Sequence, residues 1–241
     1  MIKKFGLIGK NISYSFSQKY FTEKFKTLNL PYTYELFDIP STDDFAAVAS
    51  LENLAGLNVT IPYKEQIIPF LDELSAEAKE IGAVNTIRFH HGKSTGYNTD
   101  VFGFSETLLK HLKPHHKSAL ILGNGGAAKA VAYVLKQQNI PFQTVSRSTE
   151  LNFENLTPQL VSESKIIVQG TPVGTFPDTD LSLPFPFDAL DSEHLVIDLI
   201  YNPEETAFLR EASKRNAVTV NGRMMLEKQA DKAWEIWNSP S

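Results

Sequence analysis

The segment SALILGNGGAAKAVAYVL, residues 118–135, constrains the fold most strongly. An apolar, strand-like run ends at Leu122, and Gly123, Gly125 and Ala128 follow as a helical pattern begins. Glycines at this spacing let the backbone turn tightly and approach a pyrophosphate, which the N–H groups at the start of the helix can bind. Because strand, loop and helix occur in this order, the segment predicts a dinucleotide-binding unit. A tight turn that binds no ligand is the alternative.

Strand-like and helix-like segments alternate through most of the 241 residues. This alternation predicts an α/β fold in which helices cover both faces of parallel sheets. The pattern restarts near residue 100, so we predict two domains. Residues 1–100 form an N-terminal α/β domain with a mainly parallel sheet, and residues 101–221 form a Rossmann-like domain. The pattern leaves open which domain the last helix, about residues 223–237, joins.

Composition excludes several classes of function. The formal net charge is −5 without a block of Lys and Arg, which argues against a nucleic-acid-binding face. The chain has no cysteine, so disulfides and thiolate metal sites are excluded, and its six histidines show no ligand spacing. No apolar run is as long as a membrane span, and the start MIKKFGLIG lacks a signal-peptide core. We therefore expect a cytoplasmic protein that binds no metal, nucleic acid or membrane.

The turn at residues 146–148 follows the next predicted strand after the glycine segment, and it helps to indicate which dinucleotide binds. An NAD site usually places an acidic residue there to hold the ribose 2′-hydroxyl. This sequence instead has Ser146, Arg147 and Ser148. An arginine fork and two hydroxyls suit a 2′-phosphate, so the turn favours NADP. Glu150 lies nearby and weakens the electrostatic argument, and a plain surface arginine is the alternative.

Polar residues recur where strands of the first half end. They are Ser15, Ser17, Asn58, Thr60, Lys64, Asn85, Asn98, Thr99 and Asp100. Parallel sheets bind ligands beyond the carboxyl ends of their strands, so these side chains could meet in one crevice. Each also has a simpler interpretation. The serines and Asp100 could cap helices, and Lys64 could be a solvated surface lysine.

Several motifs, in matching order, resemble the shikimate dehydrogenase family over nearly the whole chain. NVTIPYK, at residues 58–64, resembles the family's N-V-T-x-P-[FY]-K. GAVNT at residues 82–86 and NTD at residues 98–100 match the family's motifs outright. GNGGAA resembles its glycine loop, SRS its cofactor turn, and GRMMLEKQA its C-terminal motif. Together these motifs are specific, although each alone would not be.

The resemblance implies roles for individual residues. Ser15 and Ser17 would hold the substrate carboxylate, and Lys64 and Asp100 would form the catalytic pair. The implied contacts to ring hydroxyls come from Thr60, Asn85, Asp100 and Gln229. The implied NADP-binding residues are Gly123, Gly125, Gly126, Ala127, Ser146, Arg147 and Ser148, with Tyr201 and Gly222 beside the nicotinamide. Because Gln229 belongs to the substrate site, the resemblance also implies that the C-terminal helix, residues 222–241, returns to the first domain.

The sequence departs from the family pattern in three places. The opening motif, residues 10–18, keeps two serines but lacks both prolines and the histidine of N-P-[IL]-x-H-S-x-S-P. Met224 replaces the second glycine of the C-terminal motif, which bears on packing at the nicotinamide. Leu151 stands where many members have a second basic residue, which weakens the preference for NADP over NAD.

The implied reaction is the reversible NADPH-dependent reduction of 3-dehydroshikimate to shikimate, by a monomer or homodimer. A quinate/shikimate dehydrogenase with broader substrate and cofactor use is one alternative. A non-catalytic dinucleotide-binding regulator would have lost Lys64 or Asp100, and both are present. A third alternative is another two-domain NADP enzyme, such as a folate dehydrogenase.

Overall fold

The computed structural model describes residues 2–13 and 15–239. The chain divides into two compact units, which are Met1–Thr99 with Ala230–Ser241 (unit 1) and Asp100–Gln229 (unit 2). In the described part of the chain, no helix combines the length and the apolar character needed to cross a membrane. The α/β fold class predicted from the sequence is confirmed.

Unit 1 contains a six-stranded sheet in the order β2-β1-β3-β5-β6-β4. Its strands are β1 (Lys4–Gly9), β2 (Thr33–Asp38), β3 (Leu54–Val59), β4 (Glu73–Leu74), β5 (Thr86–His90) and β6 (Lys93–Tyr97). Its helices are α1 (Phe16–Thr27), α2 (Phe45–Ala49) and α3 (Ala76–Ile81), and the end of the C-terminal helix joins them. Three of the five strand pairs are parallel, while β5 pairs antiparallel with both β3 and β6.

Two local predictions in unit 1 were wrong. The segment DELSAEAKEI, residues 72–81, has a pattern that predicts one helix over its whole length. In the structure Glu73 and Leu74 pair with β6, and the helix begins only after Ser75, whose hydroxyl accepts from Ala78 N at 3.1 Å. The pattern also missed β6, because KSTGY has little apolar character. Pairing with β5 and β4 makes it a strand, since tertiary contacts override local propensity.

Unit 2 contains a five-stranded, wholly parallel sheet in the order β11-β10-β9-β7-β8. Its strands are β7 (Ala119–Leu122), β8 (Phe142–Val145), β9 (Ile166–Gln169), β10 (Leu195–Asp198) and β11 (Val218–Val220). Its helices are α4 (Asp100–His111), α5 (Gly126–Gln137), α6 (Pro158–Glu163), α7 (Ala207–Ser213) and the first half of α8 (Arg223–Asn238). Every residue of β7, β9 and β10 is buried, as expected where helices cover both faces.

The second half of α8 completes the core of unit 1. Trp237 is 4% exposed, and its indole N–H donates to Ile87 O at 2.9 Å. Its ring lies 4.9 Å from that of Phe5 and 5.0 Å from that of Phe21. A Cβ at Gly56 would collide with the indole, so β3 needs a glycine where the tryptophan packs. The sequence pattern could not place this helix, and the structure gives its last residues to unit 1.

We expect Trp237→Ala to lower the free energy of unfolding of unit 1 by about 3–5 kcal/mol, the usual cost of truncating a buried aromatic side chain. Trp237→Phe should cost less, because it keeps ring contacts and loses the hydrogen bond to Ile87 O. Urea denaturation measures both. Trp234→Ala is the matched control, since Trp234 lies on the same helix but is only partly buried. Equal losses for the two alanine variants would contradict this account of the core.

Asp198 ends β10 with a fully buried carboxyl group. Its Oδ1 accepts from Ile200 N at 2.9 Å, and its Oδ2 accepts from the hydroxyl of Thr206 at 2.6 Å. Thr206 is also the N-cap of α7, so the carboxylate ties the loop after β10 to that helix. Burial raises the pKa of Asp198 to about 6, although the two hydrogen bonds act in the opposite direction.

This raised pKa makes stability depend on pH. The folded pKa lies above that of the unfolded chain, so the stability that Asp198 contributes is fully present below about pH 4 and is lost as pH rises through about 6. The free energy of unfolding of the wild type, minus that of Asp198→Asn, should therefore fall by roughly 3 kcal/mol between these values. Urea titrations from pH 4 to 7.5 test this. Asp178→Asn, which removes an exposed carboxyl of the same unit, should show no such trend.

Candidate functional site

One edge of the unit 1 sheet collects the polar residues singled out from the sequence. β1, β3 and β6 run in one direction and β5 runs in the other, so three carboxyl ends and the amino end of β5 share this edge. Asn85 therefore reaches it by preceding β5, not by ending a parallel strand as the sequence suggested. The residues at this edge are Ser15, Ser17, Thr60, Lys64, Asn85, Asn98 and Thr99.

The two serines at the start of α1 have defined hydrogen bonds. The hydroxyl of Ser15 accepts from Ser17 N at 3.1 Å, so Ser15 is the N-cap of the helix. The Ser17 side chain bonds the phenol of Tyr34, and desolvation by burial raises the pKa of that phenol well above its usual value. The phenol therefore stays protonated, and its O–H donates a hydrogen bond to Asn58 Oδ1 at 2.7 Å. A capping hydroxyl retains its own proton, so capping and ligand binding are compatible at Ser15.

The side-chain amide of Asn85 has a fixed orientation, because its oxygen accepts several hydrogen bonds. Asn85 Oδ1 accepts from Thr99 N at 2.7 Å and lies 3.1 Å from the hydroxyls of both Thr99 and Thr86. Asn58 Nδ2 extends the network by donating to Thr86 Oγ1 at 3.3 Å. Because threonine donors surround the oxygen, the amide N–H groups of Asn85 must point the other way. Asn85 can therefore act toward a ligand hydroxyl as a hydrogen-bond donor.

The backbone of Lys64 is held from both sides. Tyr63 is 2% exposed, and its hydroxyl donates to Ile39 O at 2.6 Å while its N–H donates to Thr60 O at 2.9 Å. Lys64 O accepts from Val84 N at 2.7 Å, next to Asn85 in the chain. The Lys64 side chain is half-buried, unlike a typical solvated lysine. The fold thus fixes the backbone of Lys64 against that of Val84, the residue before Asn85.

The glycine loop of unit 2 has the shape expected for a phosphate-binding turn. Gly123 has φ +112°, which favours glycine, and a Cβ there would lie 3.1 Å from Gly170, the residue after β9. A Cβ at Gly125 would meet nothing within 4 Å, so the N-terminus of α5 is open for close approach. Gly126 and Ala127 form the first turn of this helix. The loop lies between neighbouring β7 and β9, where the chain order reverses, which is where such sheets bind nucleotides.

Internal hydrogen bonds shape the turn after β8. Ser146 Oγ accepts from Ser148 N at 3.2 Å and lies 3.1 Å from Thr149 Oγ1. The Thr149 hydroxyl also lies 2.7 Å from Leu151 O. These contacts close the turn and leave Arg147 and Ser148 exposed at its tip. The residues fit a phosphorylated ribose, because a guanidinium and a hydroxyl can both donate to phosphate oxygens.

Two further predicted cofactor residues lie close together. Gly222 N donates to Ile200 O at 2.9 Å, directly before Tyr201. A Cβ at Gly222 would collide with Leu199 O, so glycine is required where the chain enters α8 beside the end of β10. Met224 follows on the first turn of this helix and is partly buried.

Asp100 and Gln229 lie on helices that cross within unit 2. Asp100 starts α4 and is 5% exposed, and Gln229 on α8 is 8% exposed. A Cβ at Gly103, one turn after Asp100, would contact Met225 O and the Gln229 side chain. A side chain at residue 103 would therefore separate the two helices. Gln229 Nε2 donates to Leu226 O at 2.9 Å, which orients this amide as well.

Asn58 and Thr99 were expected in the crevice, but sequence reasoning did not assign them, or Tyr34 and Thr86, a role in orienting the predicted residues. Tyr34, Asn58, Thr86 and Thr99 fix the amide of Asn85 and the environment of Ser17, and only pairing across β2, β1, β3 and β5 brings them together. Among residues 2–13 and 15–239, no three His, Asp or Glu side chains form a group that could hold a metal ion.

Comparisons with known proteins identify the relatives of this chain. Residues 7–87 match the family model described as "Shikimate dehydrogenase substrate binding domain". The NADP(+) shikimate dehydrogenase of Methanosphaera stadtmanae is 36% identical, over 96% of this chain and 90% of that protein. The solved shikimate 5-dehydrogenase of Thermus thermophilus, in complex with NADP(H) and shikimate, is 31% identical with a TM-score of 0.87, over 98% of this chain and 93% of the other.

A solved quinate dehydrogenase from Corynebacterium glutamicum, in complex with NAD, superposes equally well, with a TM-score of 0.87 over 99% of this chain and 94% of the other, but at 26% identity. The fold alone therefore does not separate the two activities. The sequence identity to relatives named shikimate dehydrogenase, over nearly their whole length, does identify the family. The chain belongs to the shikimate dehydrogenase family.

Proposed function

We propose that the protein catalyses the reversible NADPH-dependent reduction of 3-dehydroshikimate to shikimate, a step toward chorismate and the aromatic amino acids. The observation that carries the proposal is the backbone hydrogen bond from Val84 N to Lys64 O, at 2.7 Å. It joins the backbone of Lys64 to that of Val84, the residue before Asn85, whose amide the threonines orient as a donor, and so supports a role for both residues in one site. Family membership supplies the substrate class, because a relative of this fold is solved with shikimate and NADP(H).

The proposed substrate contacts follow from the chemistry of each side chain. Ser15 and Ser17, at the start of α1, are the proposed partners of the substrate carboxylate, and the helix N-terminus adds a favourable dipole. Ser15 donates its hydroxyl proton directly, whereas Ser17 donates when the carboxylate replaces the Tyr34 phenol as its acceptor. Asn85 donates to a ring hydroxyl, and Thr60 contacts another. Asp100 and Gln229 complete the proposed set. Asp100 can accept hydrogen bonds from ring hydroxyls, and the direction of these bonds sets the orientation of the substrate ring.

Lys64 is the proposed proton donor. NADPH, when bound, supplies the hydride that reduces the carbonyl carbon. The carbonyl oxygen then gains negative charge, and an ammonium aimed at it stabilises that charge and transfers a proton to form the alcohol. Asp100 is the proposed partner that orients the ammonium and shares a substrate hydroxyl. In the reverse direction, Lys64 takes the hydroxyl proton back.

The proposed cofactor site lies in unit 2. Gly123, Gly125, Gly126 and Ala127 let the pyrophosphate approach the open N-terminus of α5. The turn of Ser146, Arg147 and Ser148 receives the 2′-phosphate, and Tyr201 and Gly222 lie toward the nicotinamide. Unit 1 is accordingly the proposed substrate domain, with its boundary near residue 100, and unit 2 the NADP domain. We propose a cytoplasmic monomer or homodimer.

A quinate/shikimate dehydrogenase that also uses NAD is the second candidate. Leu151 supports it, since the turn has a single arginine and Glu150 lies close by. The relative solved with NAD and named quinate dehydrogenase has the same fold. Quinate carries one more hydroxyl on its ring than shikimate, so the difference must lie in a few polar contacts of the substrate site.

Kinetics with two substrates and two cofactors separate the candidates. We expect kcat/KM to be highest for shikimate with NADP, and at least about 10-fold lower when quinate replaces shikimate or NAD replaces NADP. NAD leaves the polar groups of the 2′-phosphate turn without their partner, and quinate brings an extra hydroxyl for which the proposed site has no partner. Comparable values for quinate with NAD would favour the second candidate. Absence of turnover with all four combinations would favour a non-catalytic dinucleotide-binding protein.

We expect Lys64→Ala to lower kcat by roughly 10²- to 10⁴-fold, the usual contribution of a positioned general acid. Shikimate binding, measured by calorimetry, should be largely intact, because the serines and Asn85 remain. Lys79→Ala is the matched control, since Lys79 is an exposed lysine on α3 of the same unit. Normal turnover by Lys64→Ala would remove Lys64 from the mechanism.

A further inference from the structure

The glycine loop and the turn after β8 are joined by a side-chain hydrogen bond. Asn124 Nδ2 donates to Ser148 Oγ at 2.8 Å. Asn124 lies between the two glycines that follow β7, and Ser148 lies beyond the neighbouring strand β8. Both residues are exposed, so the bond is not part of the packed core. It links the loop that receives the pyrophosphate to the turn that receives the ribose.

The direction of this bond determines what Ser148 can offer. A serine hydroxyl has one proton and two acceptor positions. Because the Asn124 amide supplies a proton to Ser148 Oγ, the hydroxyl proton of Ser148 must point away from Asn124. The Ser148 backbone N–H is already directed inward, to Ser146 Oγ at 3.2 Å. Ser146 Oγ lies 3.3 Å from Ser148 Oγ, so the hydroxyl proton can point to Ser146 or outward to a ligand, in both cases as a donor directed away from Asn124.

We propose that Asn124 is a specificity-determining positioning residue that holds the Ser148 hydroxyl as a donor to the 2′-phosphate of NADP. This inference rests on the proposed NADP-dependent function. A phosphate dianion only accepts hydrogen bonds, so it gains from a hydroxyl fixed as a donor. The ribose 2′-hydroxyl of NAD both donates and accepts, so it gains little from that direction. Leu151 provides no second cation in this turn, and Asn124 supports the preference through hydrogen bonding instead.

Ligand fragments test the proposal without turnover. Calorimetry with adenosine 2′,5′-bisphosphate and with AMP compares ligands that differ by the 2′-phosphate. Asn124→Ala should weaken binding of the bisphosphate by about 3- to 10-fold and binding of AMP by about twofold or less, because one oriented hydrogen bond is lost. Asn124→Asp should weaken binding of the bisphosphate further, since a carboxylate accepts a hydrogen bond from the Ser148 hydroxyl and repels the phosphate. Gln137→Ala, at the opposite end of α5, is the control and should change neither.

A double-mutant cycle shows whether Asn124 acts through Ser148. If it does, Asn124→Ala with Ser148→Ala should bind the bisphosphate no more weakly than Ser148→Ala alone. In steady-state assays, Asn124→Ala should raise KM for NADP while leaving kcat and the KM for NAD unchanged. Fully additive losses, or equal losses for AMP and the bisphosphate, would overturn the role of Asn124. A wild type that binds both fragments equally would overturn the proposed NADP preference itself.

Discussion

The candidate substrate site depends on a buried hydrogen-bond network that crosses the sheet of unit 1. It runs from Tyr34 through Asn58 and Thr86 to Asn85 and Thr99. Buried polar groups are costly unless each finds a partner, so such a network tolerates few rearrangements. Among the described residues, no buried side-chain nitrogen or oxygen lacks a partner. The network therefore gives the amide of Asn85 one orientation before any substrate arrives.

The fold and the residues that carry the chemistry were largely predictable. The glycine loop, the alternation of strands and helices, and the restart near residue 100 gave the α/β class, because each depends on local sequence. The family motifs pointed to Lys64 and Asn85, which the structure brings to one sheet edge. Their roles remain predictions. Gly222 was also predicted from the C-terminal family motif, and its closeness to Leu199 O shows why glycine is needed there.

The orienting residues and the strand directions were not predictable. Nothing local in KSTGY marks β6, and nothing marks β5 as antiparallel, since both follow from pairing with distant strands. The argument that parallel strand ends converge was thus incomplete, because Asn85 lies at the amino end of an antiparallel strand. Tyr34 looks like an ordinary strand residue, and Asn58 like one more polar residue at a strand end, until the register places them together. Sequence patterns report which side chains are suited to a site, while pairing between distant segments decides how they are oriented.

The division of α8 between the two units has a consequence for biosynthesis. The ribosome synthesises the chain from the N-terminus to the C-terminus, so all of unit 2, residues 100–229, emerges before Trp237 does. Until then the aromatic cluster around Phe5 lacks the indole that packs against Gly56. The first unit to be translated is therefore the last to complete its core. During synthesis, the rings of Phe5 and Phe21 therefore lack the indole that packs against them until all of residues 100–229 have been made.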